Sequence, residues 1–177
     1  MAFDGTRTLR GALAGATAAA VWAAQQPLDK RAFGVEYDDA DLCARLARVK
    51  GRSRKPIGLA MHLANGALFG ALYANVAPSL PGPAAVRGAA AGAAEHLATW
   101  PGMIVVDRLD LGRDFPKLWG DPRAFGQATW RHLLFGAILG ELERRLNPPE
   151  ADLEPVDAAA VASNGHGSAE HLVATGP

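Results

Sequence analysis

The sequence predicts an all-α protein, a polytopic membrane bundle of four helices built as a duplicated helical hairpin. Three observations carry that prediction. Four stretches are apolar and poor in charge. Each is about long enough to cross ~30 Å of hydrocarbon at ~1.5 Å per residue. Each also contains the spacing Gly-Ala-x-x-Gly, at Gly11–Gly15, Gly66–Gly70, Gly88–Gly92 and Gly136–Gly140. Two glycines four apart share a helix face and let a neighbouring backbone approach closely, a packing mark of helices in lipid. Finally, the motifs recur in order. Arg10-Gly-Ala-Leu-Ala-Gly-Ala16 matches Arg87-Gly-Ala-Ala-Ala-Gly-Ala93. His62-Leu-x-x-Gly-Ala-x-x-Gly-x-Leu72 matches His132-Leu-x-x-Gly-Ala-x-x-Gly-x-Leu142. An even number of spans per unit gives two parallel repeats.

Helix one is expected over 11–28, charge-free after Arg7 and Arg10 and closed by Pro27. Its basic start and apolar middle also suit an export leader with Val21-Trp22-Ala23 as a cleavage site, but cleavage there would destroy the repeat. The connection from Asp29 to Lys55 is charged. A short interfacial helix suits residues 39–48, and Lys50-Gly51-Arg52-Ser53-Arg54-Lys55 is a basic run. Beside an apolar span such a run sets orientation or touches anionic lipid. Helix two is expected over 57–77, and a turn rich in proline, 78–83, leads to helix three over 88–106. Helix three carries Glu95, His96 and the Trp100-Pro101 step. A polar connection, 107–123, leads to helix four over 124–142, which carries Arg131, His132 and Glu141. Helices three and four hold charges that a lipid-facing surface does not tolerate cheaply. The domain thus spans 1–146, and the acidic, small-residue segment 147–177 reads as a disordered tail. His166 and His171 fall in it without a metal-ligand pattern.

Composition bounds the function. The length of 177 residues fits one domain, and 18 Lys and Arg balance 18 Asp and Glu, so no global charge draws nucleic acid. Alanine and glycine bury little area at ~25 cal/mol per Å², which favours lipid, where close contact does the packing. The mean hydropathy of +0.02 pulls the other way. Cys43 is the sole cysteine, so no intrachain disulfide forms, and it reads as a bystander thiol. The connections before helices two and four carry eight and four Lys or Arg. The positive-inside rule therefore puts both in the cytoplasm and both termini outside.

The polar residues fall on the packing faces. On a helix, i and i+4 share a face. His62 joins Gly66 and Gly70, His132 joins Gly136 and Gly140, and His96 joins Gly88 and Gly92. At ~1.5 Å per residue from the long-connection side, His62 lies ~8 Å deep, His132 ~12 Å and His96 ~15 Å. With Glu95 beside His96, the four define a candidate intramembrane polar cluster. Such groups relay protons, hold a metal ion, or simply bond neighbouring helices. No ligand spacing such as His-Glu-x-x-His occurs, so no metal is expected, and Glu95 is expected to pair with Arg131, Arg87 or a histidine. Trp22, Trp100, Trp119 and Trp130 suit headgroup anchors, with an interior place open to Trp100 beside Pro101. Asp107-Arg108 and Glu141 to Arg145 read as solvated helix ends with paired charges.

Several of these features together resemble the YagU-like family of small bacterial inner-membrane proteins. They are the Gly/Ala-rich first helix ending at Pro27-Leu28, His62 through Tyr73 with its Phe-Gly step, and Arg87-Gly-Ala-Ala-Ala-Gly. His96 with Pro101 following, and His132-Leu133 leading to Glu143-Arg144-Arg145-Leu146, complete the set. The connection 29–55 and the tail have no counterpart in it. The resemblance implies a multi-pass inner-membrane protein and transfers no catalytic residue. No Ser-His-Asp ordering, phosphate-binding loop or cysteine cluster appears, so neither an enzyme nor a cofactor is expected. The expected role is a structural, stress-related or accessory membrane component, with the bilayer as partner and self-association through the glycine faces. The alternatives are a small proton- or ion-linked transporter or channel subunit, and a soluble Ala-rich helical binding protein.

Overall fold

The computed structural model describes residues 4–109, 111, 112 and 114–148. They form α1 (Gly5–Phe33), α2 (Asp39–Leu46), α3 (Arg54–Val76), α4 (Ala84–Thr99), α5 (Met103–Val106) and α6 (Pro122–Leu146), with no strand among the described residues. The protein is therefore an all-α helical bundle. By length and composition, one helical stretch among the described residues, Gly51–Ser79, is apolar enough to cross a membrane. Four spans are not met on that criterion. At 16 residues α4 reaches only ~24 Å, the charge-free part of α1 is diluted by small residues and by Gln25 and Gln26, and α6 carries Arg131 and Glu141 within it.

Helix ends differ from expectation where side chains intervene. Helix α1 starts at the N-cap Asp4, whose carboxylate accepts the Thr6 and Arg7 amides. It does not close at Pro27 but runs on to Gly34, a left-handed C-cap at φ 70°. Pro27 removes one backbone hydrogen bond, while Gln26 and Asp29 on either side are held in the core. The expected third helix is two pieces. Trp100-Pro101-Gly102 makes a tight 3-10 turn between α4 and α5, because Pro101 has no amide N–H to carry the α-helical ladder on. Helix α6 begins at Pro122 under the Asp121 cap, a favoured first position for proline. Asn147 is buried and its amide bonds the Glu143 carbonyl, so it ends the bundle rather than opening the tail. Residues 149–177, with His166 and His171, lie outside the described residues.

The glycines build the bundle. Helices α1 and α3 are antiparallel, with Gly11 against Gly70 and Gly15 against Gly66. A Cβ at any of the four would strike a carbonyl oxygen of the other helix. Helices α4 and α6 repeat the device: Gly88 meets Gly136 and Gly140, Gly92 meets the His132 carbonyl, and Gly140 meets that of Ala84. The glycine faces expected to serve self-association are thus occupied inside the chain. The hairpins join through α1 against α6, also antiparallel, with Trp22 on Phe135 and Arg7 on Glu143. Helices α3 and α4 flank this central pair and scarcely touch each other.

Both long connections sit at one end and form a second small core. Val35, Tyr37, Leu42, Val106 and Leu118 are buried there with Ala124 and Ala128 of α6. Helix α2 forms where an interfacial helix was expected, but it packs on α3, with the Ala40 carbonyl against Gly58.

Candidate functional site

The gap between α3 and α4 is a cavity of about 230 Å³. His62, Glu95, His96 and His132, the four residues of the polar cluster, all line it. Aromatic rings make much of the remaining wall: Trp22, Phe69, Trp100 and Phe135. Asn65 and Thr99 also line it yet are exposed, which puts its mouth between α3 and α4. The glycine packing explains the convergence. It turns each histidine-bearing face inward, so His62 and His132 meet Trp22 and His96 stacks on His132. Ring centroids lie 5.2 Å apart for Trp22 and His62, 4.7 Å for Trp22 and His132, and 4.8 Å for His96 and His132.

The hydrogen bonds assign the imidazole protons. His132 Nδ1 lies 2.7 Å from the Ala128 carbonyl, which only accepts, so Nδ1 carries a hydrogen. The other nitrogen, Nε2, lies 2.8 Å from a Glu95 carboxylate oxygen. Two lone pairs do not face each other at that distance, so one proton is shared there, on the imidazole or on the carboxyl. His96 Nε2 lies 3.0 Å from the Thr129 hydroxyl, which donates to the Phe125 carbonyl, so His96 is the donor. His62 Nε2 donates to the Ala19 carbonyl at 3.2 Å. The remaining nitrogens of His62 and His96 find no protein partner among the described residues.

Beside the cavity lies an ionic cluster that sequence reasoning missed. Arg131 is fully buried and reaches back to Asp29 and Asp39. Its guanidinium bonds Asp29 through Nε at 2.7 Å and Nη2 at 2.5 Å, and Asp39 through Nη1 at 2.7 Å. Gln127 and Gln25 also donate to Asp29, while Trp22 Nε1 and the Tyr37 hydroxyl donate to Asp39. The cluster ties the C-terminal end of α1 and the start of α2 to α6. Burial, and then the neighbouring Asp39 carboxylate, push the Tyr37 phenol well above its ordinary value, so it stays a donor. The same two causes raise the Cys43 thiol, which keeps it protonated and unreactive.

Of its expected partners Glu95 takes a histidine, His132; Arg131 serves the two aspartates, and Arg87 donates to the Ala77 and Leu80 carbonyls. Other side chains depart from expectation. Trp22 is a core residue rather than a headgroup anchor, because its indole N–H satisfies Asp39. Glu143 is buried and bound by Arg7, and Asp107 accepts the Leu118 and Trp119 amides, so neither is a solvated end. Glu141 is one, paired with Arg144 and Arg145. The signal that could have found the cluster was Arg131 itself, since a cation on an apolar helix needs a counter-ion.

A larger groove of about 680 Å³ runs over Ala20, Ala24 and Leu59 toward the connection end. Many charges on its rim are matched internally: Asp38 by Lys30, Asp41 by Arg45 and Arg54, and Asp114 by Arg45. The Arg45 hydrogen bond holds the Asp114 carboxyl at about 2. No group of three or more His, Cys, Asp or Glu among the described residues is arranged to hold a metal ion. The Glu95–His132 pair and the aromatic walls suit the cavity to proton sharing and to holding a small guest. Comparison of the chain with protein-family models, with curated proteins and with solved structures gives no match.

Proposed function

We propose that this chain is an integral membrane protein whose bundle stands in lipid and has a non-enzymatic, structural or accessory role. One observation supports this most: large polar groups are buried while many large apolar side chains face outward. Among the largest fully buried side chains are Arg131, His96, Gln127 and Glu143. Leu118 and Leu139 are buried with them, yet many large aliphatic side chains face out, with Leu9 65%, Leu68 60%, Val86 62% and Leu97 61% exposed. In water that arrangement forgoes burial worth ~1.5–3 kcal/mol per side chain; in hydrocarbon it is the favourable one. The resemblance to the YagU-like family points to the bacterial inner membrane. The test is fractionation: after an alkaline carbonate wash the protein is expected in the membrane pellet, and release to the supernatant overturns the reading.

A second reading is favoured by the cavity. Three imidazoles and a carboxylate converge on a cavity that opens between two helices, as proton-coupled transport would use. Reconstituted in liposomes with an enclosed pH dye, the protein is expected to move protons under an imposed gradient, and Glu95→Gln to stop it. Absence of flux in the unmodified protein across several ions rejects this reading.

A further inference from the structure

We infer that the cavity between α3 and α4 binds a small lipophilic organic cation, and that binding displaces the proton held between Glu95 and His132. The inference deepens the transport reading by naming the class of guest.

Size sets the first limit. At about 230 Å³ the cavity is below the ~300–1,000 Å³ usual for drug-sized ligands, so the guest has one ring or a few short alkyl arms. The walls set the second. Trp22, Phe69, Trp100 and Phe135 present π systems, which attract a cation over their faces.

Charge sets the sign. Glu95 and Asp39 both line the cavity, whereas Arg131 stands behind Asp39. Two aspartates against one guanidinium leave one formal negative charge in that cluster. The Glu95–His132 pair, holding one proton, adds none. A neutral imidazole whose Nε2 donates, as at His62 and His96, offers its other nitrogen as an acceptor, which suits a donor-bearing guest.

Exchange follows from the shared proton. Glu95 is bonded to His132 alone among the described side chains, and that bond needs the proton. A cation that takes the carboxylate as its counter-ion leaves His132 Nε2 without an acceptor, while Nδ1 stays tied to Ala128. The proton then leaves, and the imidazole is neutral: one cation enters and one proton is released. The other titratable groups around the cavity have fixed partners or stay protonated. His96 holds Thr129, His62 holds Ala19, Tyr37 and Arg131 hold Asp39, and the Cys43 thiol is shielded by burial.

The experiment uses the full chain in detergent micelles, so it reads binding apart from membrane location and flux. Benzyltrimethylammonium is compared with neopentylbenzene, its neutral isostere, by quenching of tryptophan fluorescence, with proton release followed by a dye in weak buffer. The cation is expected to bind at least tenfold tighter and to release about one proton, with Kd falling about tenfold per pH unit as protons compete less. Glu95→Gln is expected to abolish the preference and the release. His132→Gln, with Glu95 freed, is expected to keep the binding without the release. Equal binding of the two probes, cation binding without proton release in the unmodified protein, or no binding at millimolar concentration overturns the inference. The pH series needs no variant, so it decides even where a substitution fails to fold. Binding without flux in liposomes would reject transport and leave the site standing.

Discussion

Where α1 has Ala18 and Ala19, α4 has Glu95 and His96 at the matching positions of the repeat; where α3 has Met61 before its histidine, α6 has Arg131. The hairpins α1–α3 and α4–α6 share one packing device, glycine against carbonyl, at corresponding places. Their interiors differ. In the first, His62 bonds a backbone carbonyl, an arrangement that any helix partner supplies. In the second, His132 bonds a carboxylate, and the residue beside it carries a buried cation. Small residues fix how closely the helices approach; what stands one turn beyond them decides whether the interface is inert or ionisable.

The largest effect should come from the residue that distinguishes the halves most. Arg131→Met leaves Asp29 and Asp39 buried without a cation, at an expected cost of ~3–5 kcal/mol, read by thermal unfolding in detergent. Met61→Ala, at the matching and exposed position, should stay within about 0.5 kcal/mol. If both cost the same, the halves do not differ as described.

The shared device should behave alike on both sides. Gly66→Ala and Gly136→Ala each put a methyl into a facing carbonyl and should each cost ~1–3 kcal/mol. A neutral result in one hairpin, by the same unfolding measurement, would show that only the other depends on its glycines. A double-mutant cycle between His132 and Glu95 should give a coupling of about 1 kcal/mol. His62→Ala should cost about that much and show no coupling to Glu95.

The smallest effect concerns the clasp between the two connections. Asp114 is held at about 2 by Arg45, against an ordinary 3.8. A carboxyl lowered on folding stabilises the fold above its unfolded value, and that contribution is lost as pH falls from about 4 to about 2. Asp114→Asn should therefore flatten the thermal midpoint across that window and leave it unchanged in shape above pH 5. A pH dependence identical to that of the unmodified protein would show that the clasp does not contribute.

The glycine contacts and the convergence of the histidines were legible because both follow from the four-residue spacing along single helices. The ionic cluster was not. Asp29 and Asp39 lie in a stretch that reads as a charged connection with a short interfacial helix, and Arg131 meets them across more than ninety positions of chain. Nothing local marks them, since their burial is a product of α1 running on through Pro27 and of α2 folding back. The tryptophans mislead similarly: an indole suits a headgroup or a buried carboxylate equally, and Trp22 takes the carboxylate.

The paired glycines also act as a vernier. Each long helix carries two notches a turn apart, and the partner's carbonyls seat in both at one axial register. Sliding α3 along α1 by one turn, ~5.4 Å, would keep one notch matched and drive the other onto an alanine methyl such as that of Ala19 or Ala74. Residues with no polar side chain thus set the height of every imidazole, and the His132–Glu95 distance inherits its tolerance from the seating of Gly88, Gly92, Gly136 and Gly140.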